Sequence, residues 1–391
     1  MTRRHLLTTT LAASLPTLTR AAPTPYRVAI IGHTGRGNYG HGLDTMWQHL
    51  PNTQVIALAD ADPKGLADAK TKLKIDRSYA DYTTMLNEVK PDLVAIGPRH
   101  IDQHLAMVLA ATQAGARGIY MEKPFCRSPQ EADEIIAACT QSNTKLALAH
   151  RNRYHPALSA CQKLIAEGTI GRLLEVRCRG KEDTRGGTLD LWVLGCHLFN
   201  LATVFMGAPK TCTASLFQDG QPVTKAHVTD GDEGIGALAG NEVHARFEME
   251  NGRPLFFDSV QNAGNRDAGF GLQLIGNAGI IDLRIDAEPL AHLRLGNPFN
   301  PRTATQPWQP IHSDGLSPKE PIPNLGKDVS SHTTAGRDLI AAIEQNRPPL
   351  CDAEAARTTI EMICAILESH RHAAQTISFP LKTRQNPLTL L

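Results

Sequence analysis

The sequence predicts an α/β protein in two domains, an open parallel sheet followed by an α+β unit with a mostly antiparallel sheet. Three observations carry this. Between residues 25 and 150, short apolar runs alternate with helical patterns, the mark of strand–helix–strand units. The first run ends in a glycine-rich loop and the second in an aspartate. Beyond residue 151 the later strands come as pairs joined by turn signals such as Asn251-Gly252, as antiparallel hairpins do.

The chain opens MTRRHLLTTTLAASL. A basic start with Arg3, Arg4 and His5 precedes a modest apolar stretch over residues 6–18, and "TRAAP" offers a small-residue cleavage region near Ala21 or Ala22. That is the layout of a signal peptide, here residues 1–24, too short and threonine-rich to span a bilayer. The paired arginines resemble the twin-arginine signal, which carries folded proteins across the bacterial membrane. The expectation is an exported, periplasmic protein that acquires a cofactor before it leaves.

A cofactor site follows at once. "YRVAIIG" over 26–32 reads as a buried parallel strand. The loop "GHTGRGNYGHG" leads into an expected amphipathic helix, and "TQVIALAD" is a second strand ending at Asp60. Gly35-Arg36-Gly37-Asn38-Tyr39-Gly40 fits G-x-G-x-x-G, with Gly32 an alternative first glycine. Such glycines let backbone approach a pyrophosphate, and the carboxylate accepts hydrogen bonds from ribose hydroxyls. Gly32, Gly35, Arg36, Gly37, Asn38, Gly40 and Asp60 are therefore cofactor candidates. Asp60 disfavours a 2′-phosphate, so NAD is expected over NADP. "DYTTMLNEV", "HIDQHLAMVLAATQAG" and "SPQEADEIIAACTQS", the last capped by Ser128, are helices. Strands "PDLVAIGP", "RGIYMEKP" and "KLALAH" separate and follow them. Residues 25–150 are thus a Rossmann dinucleotide-binding domain, with Pro98, Arg99, Glu122 and Lys123 at strand ends facing the cofactor.

Composition excludes several functions. The 391 residues carry a net charge of +1, which offers nothing to nucleic acid. Outside the leader no apolar run reads as a membrane span. The eight cysteines are scattered without C-x-x-C and are expected as buried thiols. The sixteen histidines show no compact ligand spacing and no G-x-S-x-G occurs, so neither a metal nor a serine nucleophile is expected.

Glu122-Lys123-Pro124, "HRNRYHPAL", "IAEGTIGRLLEVR", then "GG" and Gly195-x-His197 occur in that order. This series resembles the Gfo/Idh/MocA oxidoreductases from about residue 26 to the C-terminus, most strongly in the first half. The resemblance implies a nicotinamide cofactor, a sugar or cyclitol substrate, a catalytic Lys123 before an often-cis proline, and a catalytic His197. Read physically, Lys123 ends a parallel strand, where such sheets place their ligand crevice, and can bind or deprotonate a sugar hydroxyl. Arg99 stands where the family more often has a small amide.

Two positions depart from the family pattern. Val193 stands where the family usually has an aspartate four residues before the histidine, and Asn200 replaces a later one. Asp190, two helical turns before His197, is a substrate candidate. So are Asp183 and Arg185, on a polar loop with Lys181 and Glu182, and Arg153 and Tyr154 from "HRNRYHP", where Arg151 and His155 are also placed.

Residues 151–391 form the α+β substrate and oligomerisation domain. "VHARFEMENGRPLFFDSV" and "FGLQLIGNAGIIDLRI" are hairpins and "IEMICAILESH" an amphipathic helix. A proline-rich loop begins at "NPFNPRTATQPW". The resemblance implies a homo-oligomer through the free face of the sheet. The functional expectation is hydride transfer from a carbohydrate hydroxyl to tightly retained NAD, since an exported enzyme cannot collect fresh cofactor each turnover. One alternative is a redox-neutral glycosidase or lyase that oxidises, eliminates and re-reduces. A second is a sugar- or NAD-binding protein without catalysis.

Overall fold

The computed structural model describes residues 24–264, 270–302 and 306–391; the leader lies outside them, apart from its last residue. Six parallel strands form the first sheet: β1 (Tyr26–Ile31), β2 (Thr53–Ala59), β3 (Ser78–Tyr79), β4 (Leu93–Ile96), β5 (Gly118–Met121) and β6 (Lys145–Leu148). Their order is β3-β2-β1-β4-β5-β6, so the strand order reverses between β1 and β4 and opens a crevice at their carboxyl ends. Every residue of β4 and β5 is buried, which explains their unbroken apolar sequence. Helices α1 (Pro63–Leu73), α2 (Tyr82–Val89), α3 (His104–Gln113) and α4 (Pro129–Ser142) connect the later strands. Asp62, Asp81 and Ser128 cap α1, α2 and α4 by accepting from backbone amides three residues on.

The helix expected after β1 is absent. Asn38, Gly40 and Gly42 all have positive φ (56°, 64° and 99°), and left-handed residues at alternate positions cannot propagate a helix. The loop runs through turns to one 3₁₀ turn, Met46–His49. A later element fills the space, for helix α9 (Thr333–Glu344) packs on β5, β6 and this turn. It comes so close that a Cβ on Gly336 would meet Met46 and Leu50 within 3 Å. Sequence patterning assigns α9 to the second domain, yet it covers the first sheet.

After β6, α5 (Ala157–Ala166) leads to β7 (Leu173–Arg179) and then to α6 (Thr188–Asp190). A π turn, Leu191–Gly195, joins α6 to α7 (Cys196–Met206). The remaining strands are β8 (Pro209–Gln218), β9 (Gln221–Pro222), β10 (Thr229–Gly231), β11 (Gly236–Leu238), β12 (Glu242–Met249), β13 (Pro254–Val260), β14 (Gly271–Gly276), β15 (Gly279–Arg284), β16 (Ala291–Leu295), β17 (Gln309–Ile311) and β18 (Ile377–Ser378). Helices α8 (Leu325–Ser330), α9 (Thr333–Glu344) and α10 (Ala353–Arg371) lie between the last two. The large sheet runs β17-β16-β15-β14-β7-β13-β12-β8-β18, with β9 paired to β8. It is antiparallel except at β7–β13. Strands β10 and β11 form a separate two-stranded ribbon.

The eight cysteines are buried and unpaired. The sequence reading of membrane spans needs one correction. Residues 188–206 form a single helical run long and apolar enough to cross a bilayer, and 72% of that run is buried inside the protein. Its apolarity serves the core.

The glycine loop presses against the β4 end. Gly37 has φ +90°, and a Cβ there would lie 2.3 Å from the Arg99 backbone nitrogen. Gly37→Ala is expected to destabilise the fold by about 2 kcal/mol or more, from the left-handed backbone and the clash together. A thermal melt reads this; an unchanged Tm would refute the close packing.

Candidate active site

The crevice at the ends of β1, β4 and β5 meets the second domain in a cavity of about 190 Å³. Its wall includes Arg99, Glu122 and Lys123 from the first domain. Arg185, Val193, His197 and Glu233 face them from the second.

Lys123 follows β5 directly, its bond to Pro124 is cis, and it is 8% exposed. Its Nζ lies 3.3 Å from the Val193 carbonyl oxygen. Val193 belongs to the π turn, a widened turn often found at functional sites. The departure at residue 193 is therefore partly made good: the side-chain carboxylate is gone, and the backbone carbonyl of the same residue accepts from the lysine.

His197 opens α7 and is 7% exposed. Its Nδ1 lies 3.1 Å from Nδ1 of His150, with the rings nearly perpendicular at 82°. Sequence reasoning missed His150; the available signal was its place just past β6, where this sheet gathers functional groups. Burial, then the neighbouring His150 and Lys123, holds the His197 imidazole well below its ordinary pKa. Burial and Lys123 push His150 down to about 3. Both rings are neutral near pH 7, so one donates and the other accepts. His150 Nε2 is buried without a partner. The tautomer in which that atom carries no hydrogen avoids an orphaned donor. His197 then accepts at Nδ1 and carries its hydrogen on Nε2. The donor atoms of His150, Cys196 and His197 lie within 4.8 Å of one another. Lys123, Arg151 and Arg153 are close enough to bear on this histidine pair, a setting unfavourable to a further cation.

Glu122 is 1% exposed. It accepts from the His41 backbone at 3.1 Å and from its Nδ1 at 2.7 Å on Oε1, and from the Lys123 backbone at 2.8 Å on Oε2. Burial alone would raise its pKa; the His41 hydrogen bond and the Lys123 charge outweigh this and hold it at about 2.

The remaining candidates divide. Arg99 lines the cavity with Nε buried and unpartnered, and Arg185 lines it while chelating Asp183 through Nε at 3.0 Å and Nη2 at 2.5 Å. Arg36 is committed to Asp102 at 2.5 Å. Asn38 closes its own turn by accepting from Gly35 N at 3.0 Å. The Pro98 carbonyl lies 2.8 Å from the buried His104 ring.

Four expected substrate residues do not line the cavity; Asp183 is held by Arg185, and the other three brace the scaffold. Arg153 donates to the Asn200 carbonyl at 2.6 Å, and Tyr154 is buried and donates to the Leu148 carbonyl at 3.1 Å. Asp190 is fully buried and accepts from Glu182 N at 3.0 Å and Ser259 Oγ at 2.6 Å. Each was near the crevice in sequence; its hydrogen bonds to the scaffold turn it away, and Asp190 Oδ1 is buried with no partner among the described residues.

Glu233 was also missed. It sits at φ +55° on a tip between β10 and β11, an insertion with no periodicity to flag it. Its Oε2 is enclosed and unpartnered, and the next residue, Gly234, packs against Asp102 of the first domain.

The architecture at the crevice is that of a dinucleotide site: reversed strand order, glycine turn, Asp60 just past β2. The loop conformation is closed over it. Asp60 is 1% exposed and accepts from Thr34 N at 3.0 and 3.1 Å, Thr34 Oγ1 at 2.7 Å and Asp62 N at 3.0 Å. The Tyr39 ring covers Gly32 so closely that a Cβ there would lie 2.2 Å from it. A dinucleotide that used Asp60 would need this loop to part.

Residues 26–150 match the family model described as an oxidoreductase family NAD-binding Rossmann fold. Residues 162–379 match the corresponding C-terminal alpha/beta domain. The chain is 31% identical over 125 residues to D-apiose dehydrogenase of Paraburkholderia graminis, covering 32% of this chain and 33% of that one. It is 25% identical over 257 residues to levoglucosan dehydrogenase of Pseudarthrobacter phenanthrenivorans, covering 59% and 65%. These matches thus span between a third and two thirds of the relatives' length. Among solved structures, levoglucosan dehydrogenase in complex with NADH and levoglucosan superposes with TM-score 0.71 at 19% identity, covering 91% of this chain and all of that one. An inositol dehydrogenase homolog from Azotobacter vinelandii, complexed with NADH and myo-inositol, gives 0.70 at 17% identity over 91% and 98%. Both are likenesses of fold.

Proposed function

Because the chain belongs to the Gfo/Idh/MocA family of NAD-binding oxidoreductases, we propose that it oxidises a hydroxyl of a sugar or cyclitol and keeps its NAD bound between turnovers. The observation that carries this reading is the convergence of Lys123 and His197 on one enclosed cavity at the carboxyl end of the parallel sheet. Solved relatives of the same fold bind NADH with levoglucosan or myo-inositol, which supports the substrate class.

The residues that would hold NAD are Gly32, Gly35 and Gly37 of the loop, Asp60, and the backbone around Pro98 and Arg99. When bound, the cofactor supplies a hydride acceptor. The protein's part is positioning and proton handling. Lys123 has no carboxylate partner, and its ammonium orients the substrate oxygen and offsets the negative charge that develops there. Taking up the hydroxyl proton requires the alternative tautomer of the His150–His197 pair, in which His197 donates from Nδ1 to His150 and presents a bare Nε2 as the base that ends the step as an imidazolium. His150 itself positions that ring.

Export through the leader over residues 1–24 belongs to this proposal. NAD should be scarce outside the cytoplasm, so an exported enzyme must restore its cofactor in place, through a second substrate. Glu233 favours one further reading. An enclosed carboxylate oxygen without a partner is a candidate base for removing the proton beside a newly formed ketone, as a redox-neutral eliminase or glycosidase requires.

The test begins with protein purified without added nucleotide, denatured, and assayed for NAD(H) per chain. About one equivalent is expected. Levoglucosan, myo-inositol and a panel of aldoses and glycosides are then screened for reduction of the bound pool. Folded protein with no nucleotide would overturn retention, and failure of added NAD to bind would overturn the oxidoreductase reading. Solvent deuterium in the recovered sugar, beside the oxidised carbon, would favour elimination.

A further inference from the structure

The loop that should cradle the cofactor instead holds the groups meant to read it. Counted from Gly32, the six-residue pattern runs Gly32-His33-Thr34-Gly35-Arg36-Gly37. A threonine thus occupies the middle position, where a bare backbone ordinarily lets a pyrophosphate approach. Its backbone and hydroxyl make three of the four hydrogen bonds that saturate Asp60. The hydroxyl is wedged between that carboxylate and the first turn of α1, 1.9 Å from where a Cβ on Gly65 would stand. The hairpin is pinned by reciprocal bonds between His33 and Asn38, both 3.0 Å. At its far end His41 occupies Glu122, and Tyr39 covers Gly32 between them.

We propose that residues 33–42 form a latch in which Thr34 stands in for ribose hydroxyls on Asp60, so that NAD enters only after the loop lets go. This rests on the reading of the chain as an NAD enzyme. Binding then selects the open loop, and the observed association rate levels off at the opening rate as nucleotide increases. The apparent affinity falls by the fraction of time the loop is shut.

The experiment is stopped-flow binding of NADH by the full chain, wild type against Thr34→Gly and Thr34→Val. The glycine restores the bare middle position. The valine keeps the shape and removes the hydroxyl, and it reads the latch should the glycine variant fold poorly. The expected result is a rate that saturates with NADH in the wild type and rises at least tenfold in both variants. Thr34→Ser, which keeps the hydroxyl, stays within threefold of the wild type. Protein that purifies loaded is first stripped of nucleotide, and the same binding measurement is made on the refilled site. Rates linear in NADH and equal across the variants would overturn the latch and leave the oxidoreductase reading intact. Absence of NADH binding in the wild type and in both variants would overturn both.

Discussion

On the proposed reading, Lys123→Ala lowers kcat about 10³-fold on the sugar or cyclitol substrate, the expected loss for a donor that offsets charge developing at the reacting oxygen. The side chain is nearly buried, and among the described residues its hydrogen-bond partner is the Val193 carbonyl at 3.3 Å. A buried ammonium held by one carbonyl gives the fold little, so the variant should melt within a few degrees of the wild type. Its role is at the substrate, and the loss appears in kcat. The measurement is steady-state reduction of NAD with the substrate found by the sugar screen. Turnover unchanged to within threefold would remove Lys123 from the chemistry and, with it, the hydride-transfer mechanism in the form proposed. A folded variant with both low kcat and a raised Tm would fit the usual exchange of stability for function at active sites.

Stability is expected to fall as pH drops below 6.5. Four buried histidines are held below the ordinary 6.5: His150 at about 3, His332 at about 4, His197 well below, and His155 lowered. Burial is the first cause in each case. His332 shows why the neutral form is held: its Nδ1 lies 2.7 Å from the Tyr120 hydroxyl oxygen and its Nε2 is buried with no partner among the described residues, so a second ring proton would be orphaned. Above pH 6.5 folded and unfolded chains are both neutral at these sites, and the full stability is present. As pH falls below 6.5 the unfolded chain takes up protons that the folded chain refuses. His150 and His332 then each remove roughly 1.4 kcal/mol per pH unit, down to about pH 4 for His332 and 3 for His150. Glu122, held at about 2, adds a loss that starts only below about 4.5. Denaturant titrations at pH 7 and pH 5 should differ by about 4 kcal/mol or more. Equal stabilities at the two values would refute the burial of neutral imidazoles. His150→Gln should shallow the slope by about one histidine's share. For the same reason the acidic limb of kcat/KM lies below pH 6, not at the pKa of a free imidazole.

Much of this was legible in the sequence because it depends on local chemistry. Uninterrupted apolar strands such as "LVAI" and "GIYM" can only be buried on both faces. The caps at Asp62, Asp81 and Ser128 announce their helices by side-chain type and position. Lys123 at a strand end could be assigned to the crevice because a parallel sheet delivers all its carboxyl ends to the same edge, and His197 through the family resemblance of its Gly195-x-His197 context.

The rest was decided by tertiary structure. Arg153, Tyr154 and Asp190 stand as close to the crevice in sequence as the residues that do line it; partners such as the Asn200 carbonyl, the Leu148 carbonyl and Ser259 Oγ withdraw them. His150 became relevant only when α7 brought His197 within 3.1 Å of it, and Glu233 only when the tip between β10 and β11 reached the first domain. The loop after β1 reads as the start of a dinucleotide helix because glycines are permissive, and permissiveness does not choose a conformation. Asp60, Glu122 and the Arg99 backbone chose it by contact. The sequence by itself determined the fold class, the sheet edge and the lysine–histidine pair. Which of the nearby polar groups stay free, and whether the cofactor loop stands open, depended on long-range hydrogen bonds that no spacing along the chain encodes.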